Sequence, residues 1–339
     1  MGREAILLSI VTHNGEVFLQ RCLESVRSQT VPLKIKLFDN ASTDDSRDIA
    51  ARFGCELFAS QTNRGFSYGH NRNLLGEKFE YALLLNADVV LRPDYVERSV
   101  QTLREVEGAG MCGGKLYQMD TSGQQIFRSG AAVLDTTGIY FTPSQRHFDR
   151  GNNELDQGQY QRRQSVFGIS GAALMCSRRM LEDVRIGDEY LDEEFFAYRE
   201  DADLAWRAQL YGWKAIYEPT AEALHARRVL PSRRKTLPAV INRHSLKNRY
   251  LMRMKNLDPA VRRRCFPHMW IRDLGILLYV IVLERTSLPA YAEVWRLRKR
   301  FHQKREWIRK RRRVNGNQLS KWFAFEPVAF DLPKGSAQK

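Results

Sequence analysis

Small polar and acidic side chains form four clusters in the first 90 residues, and each follows an apolar run. The clusters occupy residues 11–15, 38–42, 63–71 and 86–88. In an open parallel sheet, ligands bind where the strands end at their carboxyl edge. Four such clusters are more than turn chemistry normally produces. We therefore expect them to meet in one binding site.

A second set of chemical groups lies between residues 192 and 225. The stretch 192–203 begins with several acids and becomes helical toward residue 211, and His225 follows a strand predicted around residues 215–217. A carboxylate at a helix start is expected to stay ionised, since backbone N–H groups and the helix dipole favour its charge. Such a group suits a general base. Ordinary acid enrichment at a helix start explains the same spacing.

Repeated strands and helices are needed to bring these groups together. Apolar runs at residues 6–12, 34–40, 55–59 and 81–85 predict strands, and helical patterns lie between them. Units of this length are typical of an α/β fold, with a mostly parallel sheet covered by helices on both faces. Further on, we predict strands at 110–117, 126–134 and 166–176, the last interrupted by glycines, and a polar loop at 147–164.

The charge of the chain is unevenly distributed. Its 339 residues carry a net charge of +15, and residues 227–313 alone hold 26 Lys and Arg against 5 Asp and Glu, which is +21 and leaves −6 for the rest. A basic C-terminal third indicates an anionic partner, such as nucleic acid or anionic lipid. We divide the chain into a domain at 1–230, a basic helical region at 231–325 and a tail at 326–339.

Two apolar features stand out in the basic region. Residues 274–283 form an apolar decamer that is too short to span a bilayer, so it is either a buried helix or one in the membrane interface. One helical stripe then follows among Arg, Lys and two Trp residues, made of Val294, Leu297, Phe301 and Ile308. This pattern favours an interfacial amphipathic helix. The alternative is a helix that packs its stripe on the first domain.

The succession SIVTHNG, DNASTD, NRGFSYGHN, LLLNADV and DEEFFAYREDADLAWR resembles the family 2 glycosyltransferases of GT-A fold, most closely the bacterial rhamnosyltransferase-like branch. The resemblance covers about residues 5–228. It implies an inverting enzyme that moves a sugar, rhamnose or another hexose or deoxyhexose, from a dTDP- or UDP-sugar to a hydroxyl. The acceptor would be a glycan or lipid-linked glycan in cell-surface polysaccharide synthesis.

The resemblance also implies a donor site. Asp39 would accept the imide N–H of uracil or thymine, with Thr12 and Asn14 in the same pocket. The other donor-binding residues implied are Asn40, Asn63, Gly65, Asn71, Asn86, Ala87 and Asp88. Each polar residue of this set could instead shape or cap a loop.

A divalent cation, Mg²⁺ or Mn²⁺, is the implied cofactor. Asn86-Ala87-Asp88 stands where the family has its DxD metal motif, with Asn replacing the first acid. Asp88 would bind the cation with phosphate oxygens and water, and His225 matches the position of a metal-binding histidine. Arg227 and Arg228 either reach the diphosphate or simply begin the basic region.

The pair Glu200-Asp201 is catalytic by the same resemblance. Inversion needs one base that takes the proton of the acceptor hydroxyl as it attacks the anomeric carbon. We assign Asp201 as that base and Glu200 as its orienter or substitute.

Other function classes leave parts of the sequence unexplained. A nucleic-acid-binding protein accounts for the basic third but not for the acidic strand ends, and no nucleic-acid motif is legible. A nicotinamide-dependent oxidoreductase needs a glycine fingerprint after the first strand, where only Gly15 is found. The remaining alternative is a nucleic-acid-binding or anionic-membrane-binding protein on a non-catalytic glycosyltransferase-like scaffold.

The sequence predicts a cytoplasmic location, peripheral on the inner face of the cell membrane. Five scattered cysteines without a CxxC pair indicate a reducing compartment, and we expect no secretory signal at the N-terminus. The expected partners are the nucleotide-sugar donor, the glycan or lipid-linked glycan acceptor and an anionic membrane surface.

Overall fold

In the computed structural model, which describes residues 5–227 and 238–332, eleven strands form one central sheet. The strands are β1 Ile6–Thr12, β2 Lys34–Asp39, β3 Glu56–Ala59, β4 Tyr81–Asn86, β5 Val89–Leu91, β6 Ala109–Gln118, β9 Leu134–Thr136, β12 Gln164–Val166, β13 Ala173–Ser177, β14 Lys214–His225 and β15 Phe330–Asp331. Two small hairpins are separate from it, β7 Phe127–Arg128 with β8 Ala131–Ala132, and β10 Ile139–Phe141 with β11 His147–Asp149.

The described helices alternate with the strands and then follow them. They are α1 Glu16–Arg27, α2 Ser46–Arg52, α3 Phe66–Leu74, α4 Tyr95–Glu105, α5 Arg178–Val184, α6 Glu200–Leu210, α7 Ala239–Asn256, α8 Pro259–Leu283, α9 Pro289–Arg311 and α10 Gly316–Ser320. Short 3-10 helices occupy Glu193–Phe195 and Arg285–Ser287.

The sheet runs in the order β15-β12-β14-β6-β13-β4-β1-β2-β3. Strands β4, β1, β2 and β3 are parallel, as are β6 and β14, whereas β13 is antiparallel to both of its neighbours. The predicted α/β fold with a mostly parallel sheet is thus confirmed. Because β1 and β4 are parallel neighbours, their carboxyl ends lie together.

Side chains that alternate along β1 enter two different hydrophobic cores. Leu7 contacts the core formed with α5 and α6, while Leu8 and Ile10 contact the core formed with α1, α2 and α4. Successive side chains of a strand point to opposite faces, so both faces of this strand must be apolar. Helices therefore cover both faces of the sheet.

The irregular middle of the chain differs from its predicted strands. Residues 166–176 do not form one strand, since β12 ends at Val166 and β13 begins at Ala173. Residues 126–134 are broken by a hairpin turn, where Ser129 and Gly130 adopt φ of 50° and 80°. Of the segment between β12 and β13, residues 170–172 line the cavity described below, while Phe167 and Ile169 pack in the core.

The interfacial position that we expected for the α9 stripe is wrong. Phe301 and Ile308 are 0% and 3% exposed and belong to the same core as α6, with Val294 and Leu297 packed against it. The alternative, packing on the first domain, is the one observed. Helical periodicity identifies the apolar face of a helix but not the surface that covers it.

Helix α8 instead presents an uncovered apolar face. Residues 274–283 are not a separate decamer, because the helix begins at Pro259 and is 25 residues long. By length and composition alone this helix could cross a membrane. Its most apolar stretch of 18 residues has a mean hydropathy of 1.5, and 11% of that stretch is buried. Its exposed apolar side chains are Phe266, Trp270, Ile271, Leu274, Leu277, Leu278, Ile281, Val282 and Leu283.

A buried ionic cluster attaches the C-terminal helices to the sheet domain. Lys255 of α7 contacts both Asp192 and Asp203, the latter at 2.9 Å, and Lys304 of α9 lies 2.7 Å from Asp192 and from Glu189. Breaking one partner of a buried pair is costly, since the other charge is left without compensation. The described helices α7 and α9 are therefore integral to the fold. The domain boundary predicted at residue 230 lies outside the described residues.

Candidate active site

A cavity of about 1350 Å³ opens at the carboxyl ends of β1 and β4. It extends to the start of α6 and the end of β14, and α7 and α8 form its far wall. Its lining includes eight residues predicted for the site, namely Thr12, Asn86, Ala87, Asp88, Glu200, Asp201, His225 and Arg227. The fold thus brings together two groups of residues that are more than 100 positions apart.

Asp88 and His225 meet at this cavity because β5, directly after Asp88, pairs with the end of β14. Asp88 Oδ1 is 3.4 Å from His225 Nε2, and Asp135 Oδ2 is 2.8 Å from His225 Nδ1. Burial alone lowers the pKa of His225, but the charges of Asp135 and Asp88 outweigh it and raise that pKa to about 10. The carboxylate of Asp135 also fixes the ring, so that Nε2 faces Asp88.

These two side chains fit a divalent cation. An oxygen ligand and an imidazole nitrogen face each other, and the second imidazole nitrogen is held by a carboxylate, as in many metal-binding histidines. In the parts of the chain that the structure describes, no cluster of three or more His, Cys, Asp or Glu side chains could hold a metal. The remaining ligands of a cation on Asp88 and His225 would come from a bound molecule and water.

Asp135 is shared between His225 and Arg227. Its Oδ1 lies 2.7 Å from Arg227 Nε, and Arg227 also forms an ion pair of 2.7 Å with Asp149. Although burial lowers it, these two carboxylates raise the pKa of Arg227 further above its ordinary value. A permanent cation therefore lines the cavity beside the Asp88–His225 pair. Arg228, predicted for the same function, lies outside the described residues.

The predicted catalytic carboxylates stand at the first turn of α6. Asp201 Oδ2 accepts the backbone N–H of Gly171 at 2.9 Å, and Oδ1 accepts that of Ala202 at 2.7 Å. Burial raises the pKa of Asp201, and the N–H of Gly171 opposes this rise. Two backbone donors thus fix the position of this carboxylate in the lining of the cavity.

Glu200 behaves differently from our expectation. Burial and the negative charges of Asp201 and Asp203 raise the pKa of Glu200 to about 8, so this side chain is mainly protonated at pH 7. The prediction that the helix start keeps this carboxylate ionised is therefore wrong. Its Oε2 is buried and has no hydrogen-bond partner among the described residues.

The backbone before α6 is strained. Phe196, Tyr198 and Arg199 have φ of 61°, 71° and 74°, the left-handed region that costs about 1–3 kcal/mol for each residue other than glycine. The side-chain amide of the buried Asn248 donates to the carbonyls of Phe195, Ala197 and Tyr198 at 2.7–2.9 Å. Helix α7 thereby holds the segment that sets the position of Glu200 and Asp201.

Asp39 ends β2 as predicted but does not line the cavity. Its side chain is fully buried, accepts the backbone N–H of Ser42 and forms an ion pair of 2.6 Å with Arg47, whose side chain is 43% exposed. Asn14 Oδ1 accepts the N–H of Thr43, and the amide of Asn40 bonds to both Arg64 and Gly65. Asn14 and Asn40 therefore connect the strand-end loops.

The segment predicted to contact the nucleotide packs mainly on the protein itself. Asn63 accepts the N–H of Gly65, and a side chain at Gly65 would clash with the backbone of Phe196 at 2.5 Å. Asn71 is fully buried, and its amide bonds to residues 190, 191 and 193. We correct the direct donor contact predicted for Asn71, because its hydrogen bonds are already used within the fold.

The sequence model of Glycosyl transferase family 2 matches residues 8–185, just over half of the chain. The chain belongs to this family. A related protein of Mycobacterium tuberculosis, N-acetylglucosaminyl-diphospho-decaprenol L-rhamnosyltransferase, is 26% identical over 237 residues, which cover 63% of this chain and 74% of that protein. The family membership inferred from the strand-end motifs is confirmed.

Solved structures confirm the GT-A-like fold of this glycosyltransferase. GalNAc-T7 with UDP, GalNAc and Mn²⁺ superimposes with a TM-score of 0.58 at 13% identity, covering 91% of this chain and 56% of that one. The S. aureus TarS fragment 1-349 in complex with UDP-GlcNAc gives a TM-score of 0.54 at 14% identity, covering 96% of this chain and 99% of that fragment. At these identities the likeness concerns the fold alone.

Sequence reasoning did not find three residues of this glycosyltransferase site. Asp135 directly follows the strand predicted at 126–134, and Asp149 falls in the loop predicted at 147–164, but neither belongs to a motif that carries the family resemblance. Asn248 lies on α7, 47 positions after Asp201 in the sequence. In the sequence, Asn248 is an isolated Asn within a basic helix, and such a residue does not reveal a tertiary contact.

We expect Mn²⁺ affinity, measured by electron paramagnetic resonance with saturating nucleoside diphosphate, to rise about tenfold per pH unit from pH 6.5 to 8.5. The reason is that His225, with a pKa of about 10, must lose its proton to bind the cation. In Asp135→Asn this pKa falls, so the dependence should level off within the range, and the ratio of the affinities at pH 8.5 and pH 6.5 should shrink from about 100-fold to less than about tenfold.

Asp149→Asn is the matched control for this measurement. Asp149 pairs with Arg227 rather than with His225, so its variant should keep the steep pH dependence. A pH-independent affinity in the wild type would contradict the assignment of His225 as a ligand.

Proposed function

We propose that the protein is an inverting glycosyltransferase that transfers a sugar from a dTDP- or UDP-sugar to a hydroxyl of a glycan or lipid-linked glycan. The observation that carries the proposal is that Asp201 and the Asp88–His225 pair line the same cavity. A base for the acceptor and a charge-compensating site for the leaving group are the two elements that a single displacement needs.

The donor half of the proposal concerns the strand ends of the first domain. Asp39 is proposed to accept the imide N–H of the base, which requires the exposed head of Arg47 to leave this carboxylate. Thr12 Oγ1 is buried without a hydrogen-bond partner in the described part of the chain, and it lines the cavity. It is therefore a candidate donor to the nucleotide, whereas Asn14, Asn40, Asn63 and Gly65 would act by shaping the loops.

Asp88 and His225 are proposed to hold Mg²⁺ or Mn²⁺ together with the donor diphosphate, next to Asn86 and Ala87. When bound, such a cation stabilises the negative charge that develops on the departing diphosphate. Arg227 lies beside this pair with its charge secured by two carboxylates. It would stabilise the same leaving group even where the motif has one acid instead of two.

Asp201 is proposed as the base. As the acceptor oxygen bonds to the anomeric carbon, its proton passes to Asp201, and the bond from that carbon to the diphosphate oxygen breaks. The nucleoside diphosphate leaves from the opposite face, so the anomeric configuration inverts. Protonated Glu200, next in sequence, adds no second charge and would orient Asp201 or the acceptor.

The sugar and the acceptor are proposed by similarity. The mycobacterial relative is named a rhamnosyltransferase that acts on N-acetylglucosaminyl-diphospho-decaprenol, which favours dTDP-rhamnose as donor and a lipid-linked glycan as acceptor. A place in cell-surface polysaccharide synthesis follows from such an acceptor. The fold alone would not support either choice.

Asp201→Asn should reduce sugar transfer at least about 100-fold, because the acceptor proton then has no base. The assay measures nucleoside diphosphate released from dTDP-rhamnose and then from UDP-sugars, and the dissociation constant for the nucleotide should stay within about threefold. Equal turnover in Asp201→Asn and wild type would contradict the assignment. Absence of turnover with every donor would favour the non-catalytic alternative.

Glu200→Gln is the partner variant. Because neutral Glu200 predominates at pH 7, the glutamine variant should keep most of the activity there. In the wild type, ionisation near pH 8 places a second charge beside Asp201 and should change the rate, and this inflection should be absent from the variant. An identical pH profile would show that Glu200 does not influence the base.

We also propose that the enzyme acts on the cytoplasmic side of the cell membrane, bound to its anionic surface through α8. An anionic membrane is proposed as the partner because of charge complementarity. The exposed apolar face of α8 lies within residues 227–313, which carry a net charge of +21. Apolar burial together with attraction to anionic lipids is the usual basis of interfacial binding.

The double variant Leu278→Glu/Val282→Glu should weaken binding to phosphatidylglycerol–phosphatidylcholine vesicles at least about tenfold, as two apolar side chains leave the interface. These side chains are 54% and 66% exposed, so the fold should tolerate the change. Phe127→Glu is the control, since Phe127 is 61% exposed on the β7–β8 hairpin and should not affect sedimentation with vesicles. Equal binding of all three proteins would contradict α8 as the membrane-contacting element.

A further inference from the structure

The apolar face of α8 continues from the surface into the catalytic cavity. Ile271 is 64% exposed and also lines the cavity, together with Ile276 and Tyr279 of the same helix. Asp201 lines this cavity as well. A residue of the proposed membrane-contacting face and the proposed catalytic base therefore line the same cavity.

Gly275 forms a notch in this wall. Ile271, Gly275 and Tyr279 are spaced four residues apart, so they follow one another along one face of the helix. A Cβ atom at Gly275 would have no atom of residues 5–227 or 238–332 within 4 Å, and the residue lies well inside a 25-residue helix. Glycine destabilises a helix interior relative to alanine, and no packing contact among these residues explains it. The open space above Gly275 is therefore available to a ligand.

Arginine side chains line the same cavity as Gly275. Arg272, next to Ile271 on α8, lines the cavity, and so do Arg146, Arg199 and Arg249. Arg249 is 3% exposed, and its guanidinium is already bonded to Asp273 and to the carbonyls of Ser144 and Gln145, so it holds the cavity wall in place. Arg272 is exposed and lines the cavity, and a guanidinium suits phosphate recognition.

We propose that the acceptor is an amphiphile whose apolar chain lies in the notch over Gly275 and whose phosphate or diphosphate linker meets Arg272. Its sugar hydroxyl then reaches Asp201 from the α8 side of the cavity, while the donor occupies the strand ends. This inference rests on the proposed function and gives its acceptor side a defined binding site. An anionic phospholipid carries the same combination of chain and phosphate, so the test separates the two.

The experiment titrates farnesyl diphosphate calorimetrically into the full chain saturated with dTDP and Mn²⁺, so that the donor diphosphate site is already filled. Farnesyl diphosphate should bind at least tenfold more tightly than inorganic pyrophosphate. Gly275→Leu should weaken the binding of farnesyl diphosphate at least tenfold, because the leucine side chain fills the notch. The affinities for pyrophosphate and dTDP should stay unchanged. Gly275→Ala should have a smaller effect.

Arg263→Leu is the matched control, at an exposed position of α8 that is twelve residues, or about 18 Å, from Gly275. It should bind farnesyl diphosphate like the wild type. The inference is overturned if farnesyl diphosphate binds no better than pyrophosphate, if Gly275→Leu binds it normally, or if dihexanoyl phosphatidylglycerol displaces it at equal concentration. Failure of dTDP and UDP to bind contradicts the proposed function instead. In that case, comparing farnesyl diphosphate with pyrophosphate in the absence of nucleotide still tests whether the notch binds an apolar chain.

Discussion

Asp135 has no exposed surface, and its carboxylate contacts two cations, His225 at 2.8 Å and Arg227 at 2.7 Å. Burial alone raises the pKa of Asp135, but the charges of His225 and Arg227 hold it below its usual range. One buried anion thereby orients the histidine that faces Asp88 and the arginine that pairs with Asp149. The histidine of the proposed cation site and the arginine beside it are thus both oriented by one buried carboxylate.

The base half of the site depends on a second constraint. The segment before α6 contains three left-handed residues, which persist only where the surroundings impose them. Asn248 supplies three hydrogen bonds to that segment, and Lys255 and Lys304 neutralise the acids around it. The described C-terminal helices α7 and α9 thus hold the segment that carries Asp201.

The sequence predicted the first half of the fold well, because alternation and helical spacing are local properties that report directly on burial. Strands 6–12, 34–40, 55–59 and 81–85 appear within one residue of their predicted ends. The motifs also identified Asp88, Asp201 and His225, which the fold brings into one cavity. Asp39 was correctly located at a strand end, but its ion pair with Arg47 was not foreseeable from spacing.

The remaining features depend on tertiary contacts that no local pattern encodes. The apolar stripe of α9 was correctly recognised, but it packs into the protein core instead of a membrane interface. The exposed apolar face belongs to α8. The protonation of Glu200 was mispredicted because the helix dipole is a local effect, while burial and the nearby Asp201 and Asp203 outweigh it. Asp135 was missed since its partners lie about 90 residues later in the chain.

The most direct test of the central claim is a calorimetric titration of dTDP and UDP, with and without Mn²⁺, into the wild type and Asp88→Ala. We predict that at least one nucleotide binds, that Mn²⁺ strengthens the binding, and that this strengthening is lost in Asp88→Ala. Binding of neither nucleotide, or binding that is indifferent to both the metal and the substitution, would contradict the assignment of a donor site at these strand ends.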